Sequence, residues 1–140
     1  MTEMHFVPIP TEVNALYKLR SIWGPFIPAI AKRSGETQEE LFDMIISGRV
    51  QIGLVWDGEQ ARALIGILYR KVGRELVGEV HWVTGFGSKD WQHLLPELEN
   101  YLKEKAGCTI IKPICRPGWK RLLKQVGGYK ETHVMMEKRL

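Results

Sequence analysis

The chain has 140 residues, 44% hydrophobic and 26% charged, a composition that fits one folded domain and excludes disorder as a description of the whole. No apolar run approaches the roughly 18 residues of a membrane span, and Met1-Thr2-Glu3-Met4-His5 lacks the basic patch and apolar stretch of a signal peptide, so a cytoplasmic protein is expected. The net charge of +4 is unevenly spread: residues 1–100 carry 10 basic and 13 acidic side chains, residues 101–140 carry 10 and 3.

Taken in chain order, residues 4–9 alternate weakly and predict a short first strand ending among prolines. Thr11 is placed to cap a helix that carries Val13, Leu16, Tyr17, Ile22 and Trp23 on one side. Thr37 followed by Glu40 is a capping box, opening a second helix closed by Ser47-Gly48. Residues 50–56 are rich in strand formers, Asp57-Gly58 is a turn, and residues 63–69 return as the second arm of a hairpin. Residues 76–84 form a third strand, and strict alternation puts Glu79, His81 and Val83 on one face and Val80, Trp82 and Thr84 on the other.

After Gly85-Phe86-Gly87-Ser88 the helical period returns, with Trp91, Leu94, Leu98 and Leu102 on one stripe. Pro96 suggests either a separate first turn or a helix that begins at the proline. Residues 109–115 read as an apolar strand reached by a parallel crossover, residues 118–126 as a short basic helix, and residues 133–139 as a final strand. The order is that of a mixed α+β domain spanning 1–140, not of a doubly wound sheet.

Two segments carry a resemblance. Val80-His81-Trp82-Val83-Thr84-Gly85-Phe86-Gly87-Ser88, leading into an amphipathic helix, resembles the central strand, phosphate loop and helix of the GNAT (Gcn5-related N-acetyltransferase) superfamily. Gly118-Trp119-Lys120-Arg121-Leu122-Leu123-Lys124-Gln125-Val126-Gly127-Gly128-Tyr129 is similar to the same family's closing helix and glycine-aromatic pair. Gly118-Trp119-Lys120-Arg121 with Glu137-Lys138-Arg139-Leu140 looks closest to small GNAT-like proteins of tailed phages and prophages. The resemblance implies a central, mostly antiparallel mixed sheet flanked by helices.

It also implies acetyl-CoA as cosubstrate. The thioester and pantetheine would lie along Trp82, Val83 and Thr84, and the pyrophosphate on Gly85, Phe86, Gly87, Ser88 and Lys89. Backbone N–H groups at a glycine-rich helix start suit an anion. Trp119, beside Lys120 and Arg121, is a candidate to stack the adenine ring, or else packs in the core. Acyl transfer to an amine needs a base, for which Glu79 and His81, two residues apart on one strand, are candidates. The competing reading pairs Glu79 with a neighbouring lysine or arginine and lays His81 over the sheet. The family's tyrosine acid has no counterpart: its position holds Lys124, or Leu123 one residue away, which leaves Tyr129 or Cys115 as substitutes.

Cys108, Cys115 and His133 lack metal-ligand spacing, and no metal is expected. The partners expected are an acyl-CoA and an amine or protein acceptor, with a homodimer or virion proteins as further candidates. Two other functions remain open: a catalytically silent structural module such as a virion component, and a nucleic-acid binder that uses the basic C-terminal segment.

Overall fold

A computed structural model describes residues 4–85, 91–114, 119–133 and 135–140. Its centre is a five-stranded sheet in the order β1 (His5–Pro8), β2 (Gln51–Trp56), β3 (Ala61–Val72), β4 (Glu75–Thr84) and β5 (Ile110–Pro113). Neighbours are antiparallel except β4 and β5, which run parallel. A parallel pair needs a crossover, and the helix α5 (Trp91–Glu104) supplies it.

Successive residues of a strand face opposite ways, so Leu64 and Ile65 of β3 serve two different cores. On one face lie α1 (Val13–Lys18), α2 (Arg20–Trp23), a 3-10 turn (Gly24–Phe26), α3 (Ile27–Ser34) and α4 (Gln38–Ile46). There Trp23, Ile30 and Leu41 pack on Ile52, Leu54 and Leu64. On the other face α5 and α6 (Trp119–Val126) bring Leu98, Leu102 and Leu122 against Ile65 and Ile67. The expected mixed, mostly antiparallel sheet with flanking helices is the fold that forms.

Local chemistry accounts for several boundaries. The Thr37 hydroxyl accepts the Glu40 N–H at 3.1 Å and the Glu40 carboxylate accepts the Thr37 N–H at 3.4 Å, so the capping box opens α4 as expected. In the β2–β3 turn, Asp57 Oδ1 accepts the N–H groups of Glu59 and Gln60, both at 2.9 Å, while Arg62 binds Oδ2. The Gln60 and Glu59 amides, with the Arg62 side chain, hold the Asp57 carboxyl down at about 2.

Four expectations need correction. Thr11 does not cap α1; the capping position is Glu12, with no side-chain capping bond. The helix expected to reach Trp23 breaks at Leu19 (φ −97°, ψ 6°), and the Trp23 indole N–H takes the Leu16 carbonyl at 2.8 Å. Pro96 neither starts α5 nor splits it but lies inside one continuous helix; its missing N–H costs one bond of the helical ladder. The final strand over 133–139 is absent among the described residues, where Met135 and Met136 are 86% and 91% exposed. Alternation gives that tail strand propensity, but a strand exists only where a neighbour accepts its backbone bonds.

Among the described residues no helix is long and apolar enough to cross a membrane.

Candidate functional site

The site is built on a fault in β4. Gly66 pairs with Trp82, but the next residue of β3, Ile67, pairs with Val80, so His81 is an extra residue on β4. This β-bulge turns the strand by one face. Val80 packs into the core beneath α5, whereas Trp82, two residues on, packs into the core beneath α1–α4. Strict alternation had put those two on the same face, and Val83 on the face opposite Val80; instead Val83 packs on the α5 side with Val80. Glycine at 66 makes room for the turned residue: a Cβ there would meet Trp82 Cε3 at 2.4 Å.

Beyond the bulge β4 loses one neighbour. Its pairing with β5 ends at Val80–Pro113, and the Ile114 N–H still reaches the Val80 carbonyl at 3.0 Å, whereas β3 accompanies β4 as far as Thr84. The backbone from Trp82 to Thr84 therefore has no strand beside it on the β5 side among the described residues. A cleft of about 660 Å³ opens here, within the usual size of a small-molecule site. The segment from His81 to Gly85 forms its floor, α3 contributes Ile30, Arg33 and Ser34, and Ile114 and Trp119 form the far side. Gly85 turns the chain away at φ 127°, where a Cβ would lie 2.1 Å from the Arg62 carbonyl oxygen.

Glu79 is buried at 5% exposure, and both of its oxygens are held. Oε1 lies 3.0 Å from His81 Nε2 and Oε2 lies 3.3 Å from Arg70 Nε. Burying a carboxylate is costly unless it is paired, and these contacts supply the pairing. The arginine partner of the competing reading is thus present, yet it does not displace the histidine. His81 is one-third exposed and lines the cleft.

Of the expected site residues, Glu79 and His81 are joined by a hydrogen bond, and His81, Trp82, Val83, Thr84, Gly85 and Trp119 line one cleft. Phe86, Gly87, Ser88 and Lys89 lie outside the described residues, as does Cys115. Tyr129 does not reach the cleft: its hydroxyl donates to Glu99 of α5 and its ring packs on the α5–α6 core. Burial first, then the Glu99 carboxylate, pushes the Tyr129 hydroxyl well above the usual phenol range. Burial likewise raises the Cys108 thiol, which packs beneath α5. Among the described residues no group of three or more His, Cys, Asp or Glu could hold a metal ion.

Residues the sequence did not single out are Arg33, whose Nη1 donates to the Val83 carbonyl at 3.4 Å, and Arg70. Arg70 lies on β3 beside β4, one residue past the strand end expected at 69; Arg33, 50 positions from its partner, has no local signal.

No family model and no curated protein matches the chain by sequence. Solved structures do match. An aminoglycoside acetyltransferase from an uncultured soil metagenomic sample superposes with a TM-score of 0.66 at 9% identity, over 98% of this chain and 96% of that one. Glucosamine-6-phosphate N-acetyltransferase of Arabidopsis thaliana gives 0.63 at 13% identity, over 96% and 97%. An acetyltransferase of Trypanosoma brucei gives 0.64 at 10%, over 97% and 99%. The chain has the fold of the GNAT acetyltransferases along essentially its whole length.

Proposed function

We propose that the chain is an acyl-CoA-dependent N-acyltransferase whose base is the Glu79–His81 pair. The observation that carries this reading is the cleft placed where β4 leaves β5, with a buried carboxylate–histidine pair at the bulge beside it. When bound, acetyl-CoA supplies the acyl group as a thioester. The residues that fit it are Trp82, Val83 and Thr84, whose β5-side edge has no strand beside it among the described residues and carries one side-chain contact, from Arg33 to the Val83 carbonyl; an amide-bearing arm can lie along a strand edge much as another strand would. Gly85 leads on to Phe86, Gly87, Ser88 and Lys89 for the phosphates, and Trp119 stands across the cleft.

His81 accepts the proton of the acceptor's ammonium group, and Glu79 fixes the ring and stabilises the imidazolium that results. Arg70, 3.3 Å away on the far oxygen, holds the carboxylate in place. No tyrosine lines the cleft among the described residues; the protonated His81 is then the acid nearest the leaving group. The fold does not choose the acceptor, because the similar structures include acetyltransferases named for acceptors as different as an aminoglycoside and glucosamine 6-phosphate.

Calorimetry with acetyl-CoA and with CoA tests the reading. Saturable binding below millimolar ligand is expected, weakened by a bulky substitution at Gly85; no heat up to millimolar ligand overturns it.

A second reading, a non-catalytic interaction module, is favoured by the exposed tail with Met135, Met136 and Leu140. The phage likeness of the closing segments makes virion proteins, or a second copy of the chain, the partners on that reading. Acetyl transfer in solution by a protein absent from purified particles would count against it. Nucleic acid stands third, and binding that is insensitive to salt would exclude phosphate contacts by the basic C-terminal segment.

A further inference from the structure

We infer that Arg33 is the acceptor-specificity residue of this cleft, and that the amine it selects carries an oxyanion, a carboxylate or a phosphate. The inference rests on the acyl-transfer reading above and adds to it a substrate class.

Arg33 is held in place by its helix. Ile30, one turn earlier, is buried at 4% exposure in the same core as Trp82, and Gly35 ends α3 at φ 79° with its N–H on the Ala31 carbonyl at 3.1 Å. The last turn of α3 is thereby fixed at the edge of the cleft, with the guanidinium over β4.

What the guanidinium does there is incomplete. Its bond to the Val83 carbonyl, at 3.4 Å, is longer than the usual 2.9–3.0 Å and uses one N–H of a five-donor fork on a neutral acceptor. The other arginines of this region have carboxylates: Arg70 has Glu79 and Arg62 has Asp57. No carboxylate among the described residues pairs with Arg33. Glu79 is already matched by Arg70 and His81, so among the described residues the charge of Arg33 over the cleft has no carboxylate partner. A planar fork of this kind fits a carboxylate or phosphate through two parallel bonds.

Position decides which molecule brings the oxyanion. Arg33 reaches β4 at Val83, two residues from His81, a separation of roughly 6 to 7 Å along an extended strand. Glu79, His81 and α3 share one side of the sheet, where the acceptor's amine must meet its base. One small molecule can place an amine at His81 and an oxyanion at Arg33.

The test compares matched acceptors that differ in the anion, phosphoethanolamine with ethanolamine and glycine with glycinamide. Turnover is followed as thiol release from acetyl-CoA, in the wild-type chain, Arg33→Gln and Arg33→Lys. The wild type is expected to favour the anionic member by about tenfold or more in kcat/KM. Arg33→Gln should bring the ratio to within about twofold, and Arg33→Lys should fall between. Because Arg33 also bonds the Val83 carbonyl on the strand edge assigned to the carrier, the acetyl-CoA Kd of Arg33→Gln, measured by calorimetry, is expected to shift far less than the acceptor ratio does. A ratio near one in the wild type, or one that survives Arg33→Gln, overturns the inference. So does a weaker acetyl-CoA Kd in Arg33→Gln with the acceptor ratio unchanged, which would assign the arginine to the carrier's phosphates. A non-catalytic arm follows the arginine Nε–H signals by NMR: the signal lost in Arg33→Gln should move with phosphoethanolamine and not with ethanolamine, and a signal that stays put overturns the inference. If acetyl-CoA gives no heat at all, the acyl-transfer reading fails separately, and the NMR arm still decides whether Arg33 binds the anion.

Discussion

Glu79 Oε1 stands 3.0 Å from His81 Nε2, and the histidine of this pair is itself the extra residue of the β4 bulge. The bulge that frees the strand from β5 therefore also lifts the imidazole into the cleft. If the pair is the base, His81→Ala and Glu79→Gln should each lower kcat for acyl transfer by about 10² to 10⁴. Acetyl-CoA affinity, measured by calorimetry, should stay within about twofold, because neither side chain lies among the backbone groups assigned to the carrier. Turnover that survives either substitution removes the pair from the mechanism.

Gly66 and Gly85 bracket the floor of the cleft. A methyl at 66 would press on Trp82 Cε3 at 2.4 Å, and the indole must move or the strand must part. Gly66→Ala should cost about 1–3 kcal/mol in urea unfolding and shift the tryptophan emission. Gly85→Ala should cost more, because its methyl meets the Arg62 backbone carbonyl at 2.1 Å in a conformation, φ 127°, that L residues avoid. Equal stability of Gly85→Ala and wild type would contradict the geometry at the end of β4.

Trp23 is fully buried, stacks on Phe42 at 5.7 Å between ring centres, and donates its indole N–H to the Leu16 carbonyl. Trp23→Phe keeps much of the packing but orphans the carbonyl, for a loss of about 1–3 kcal/mol. Trp23→Ala also leaves a cavity, for about 3–5 kcal/mol. Similar midpoints for the two variants in denaturant would mean that packing contributes little here.

Acid should loosen the β2–β3 turn. The Asp57 carboxyl is held at about 2 against an ordinary 3.8, so its charged form is favoured by folding. That stabilisation is complete above pH 3.8 and is lost as pH falls from there through about 2. Asp57→Asn should be less stable than wild type at neutral pH, and the gap should close across that window in a pH series of thermal melts. A gap that stays constant below pH 3 would show that the carboxylate's charge is not what the turn uses.

Much of this fold was legible because its signals are local. The Thr37–Glu40 box, the Asp57-Gly58 turn and the run of β2, β3 and β4 each depend on residues close together in sequence, and each formed as expected. The bulge was hidden because Trp82 is apolar and finds a core on whichever face it lands. The tail was misread for the converse reason: its alternation is real, but nothing in residues 133–139 says whether a neighbouring strand waits for them. At the site, Glu79 and His81 could be paired from their spacing on one strand. Arg33 could not, since a helix C-terminus reveals nothing about which strand it will lie across.

The walls of the cleft come from opposite ends of the chain: α3 lies in the first third, and Ile114, just past β5, and Trp119 of α6 lie in the last. The base between them sits on a meander of consecutive strands, the part whose contacts are shortest in sequence. Such local pairings close early and open late, whereas the four-residue parallel match of β4 with β5 waits on the whole of α5. Amide hydrogen exchange should therefore divide the molecule, with the slowest protons along β3 and the adjoining parts of β2 and β4, and faster ones in β5 and α3. Partial opening at either terminus would silence the site while the strands that carry Glu79 and His81 stayed folded.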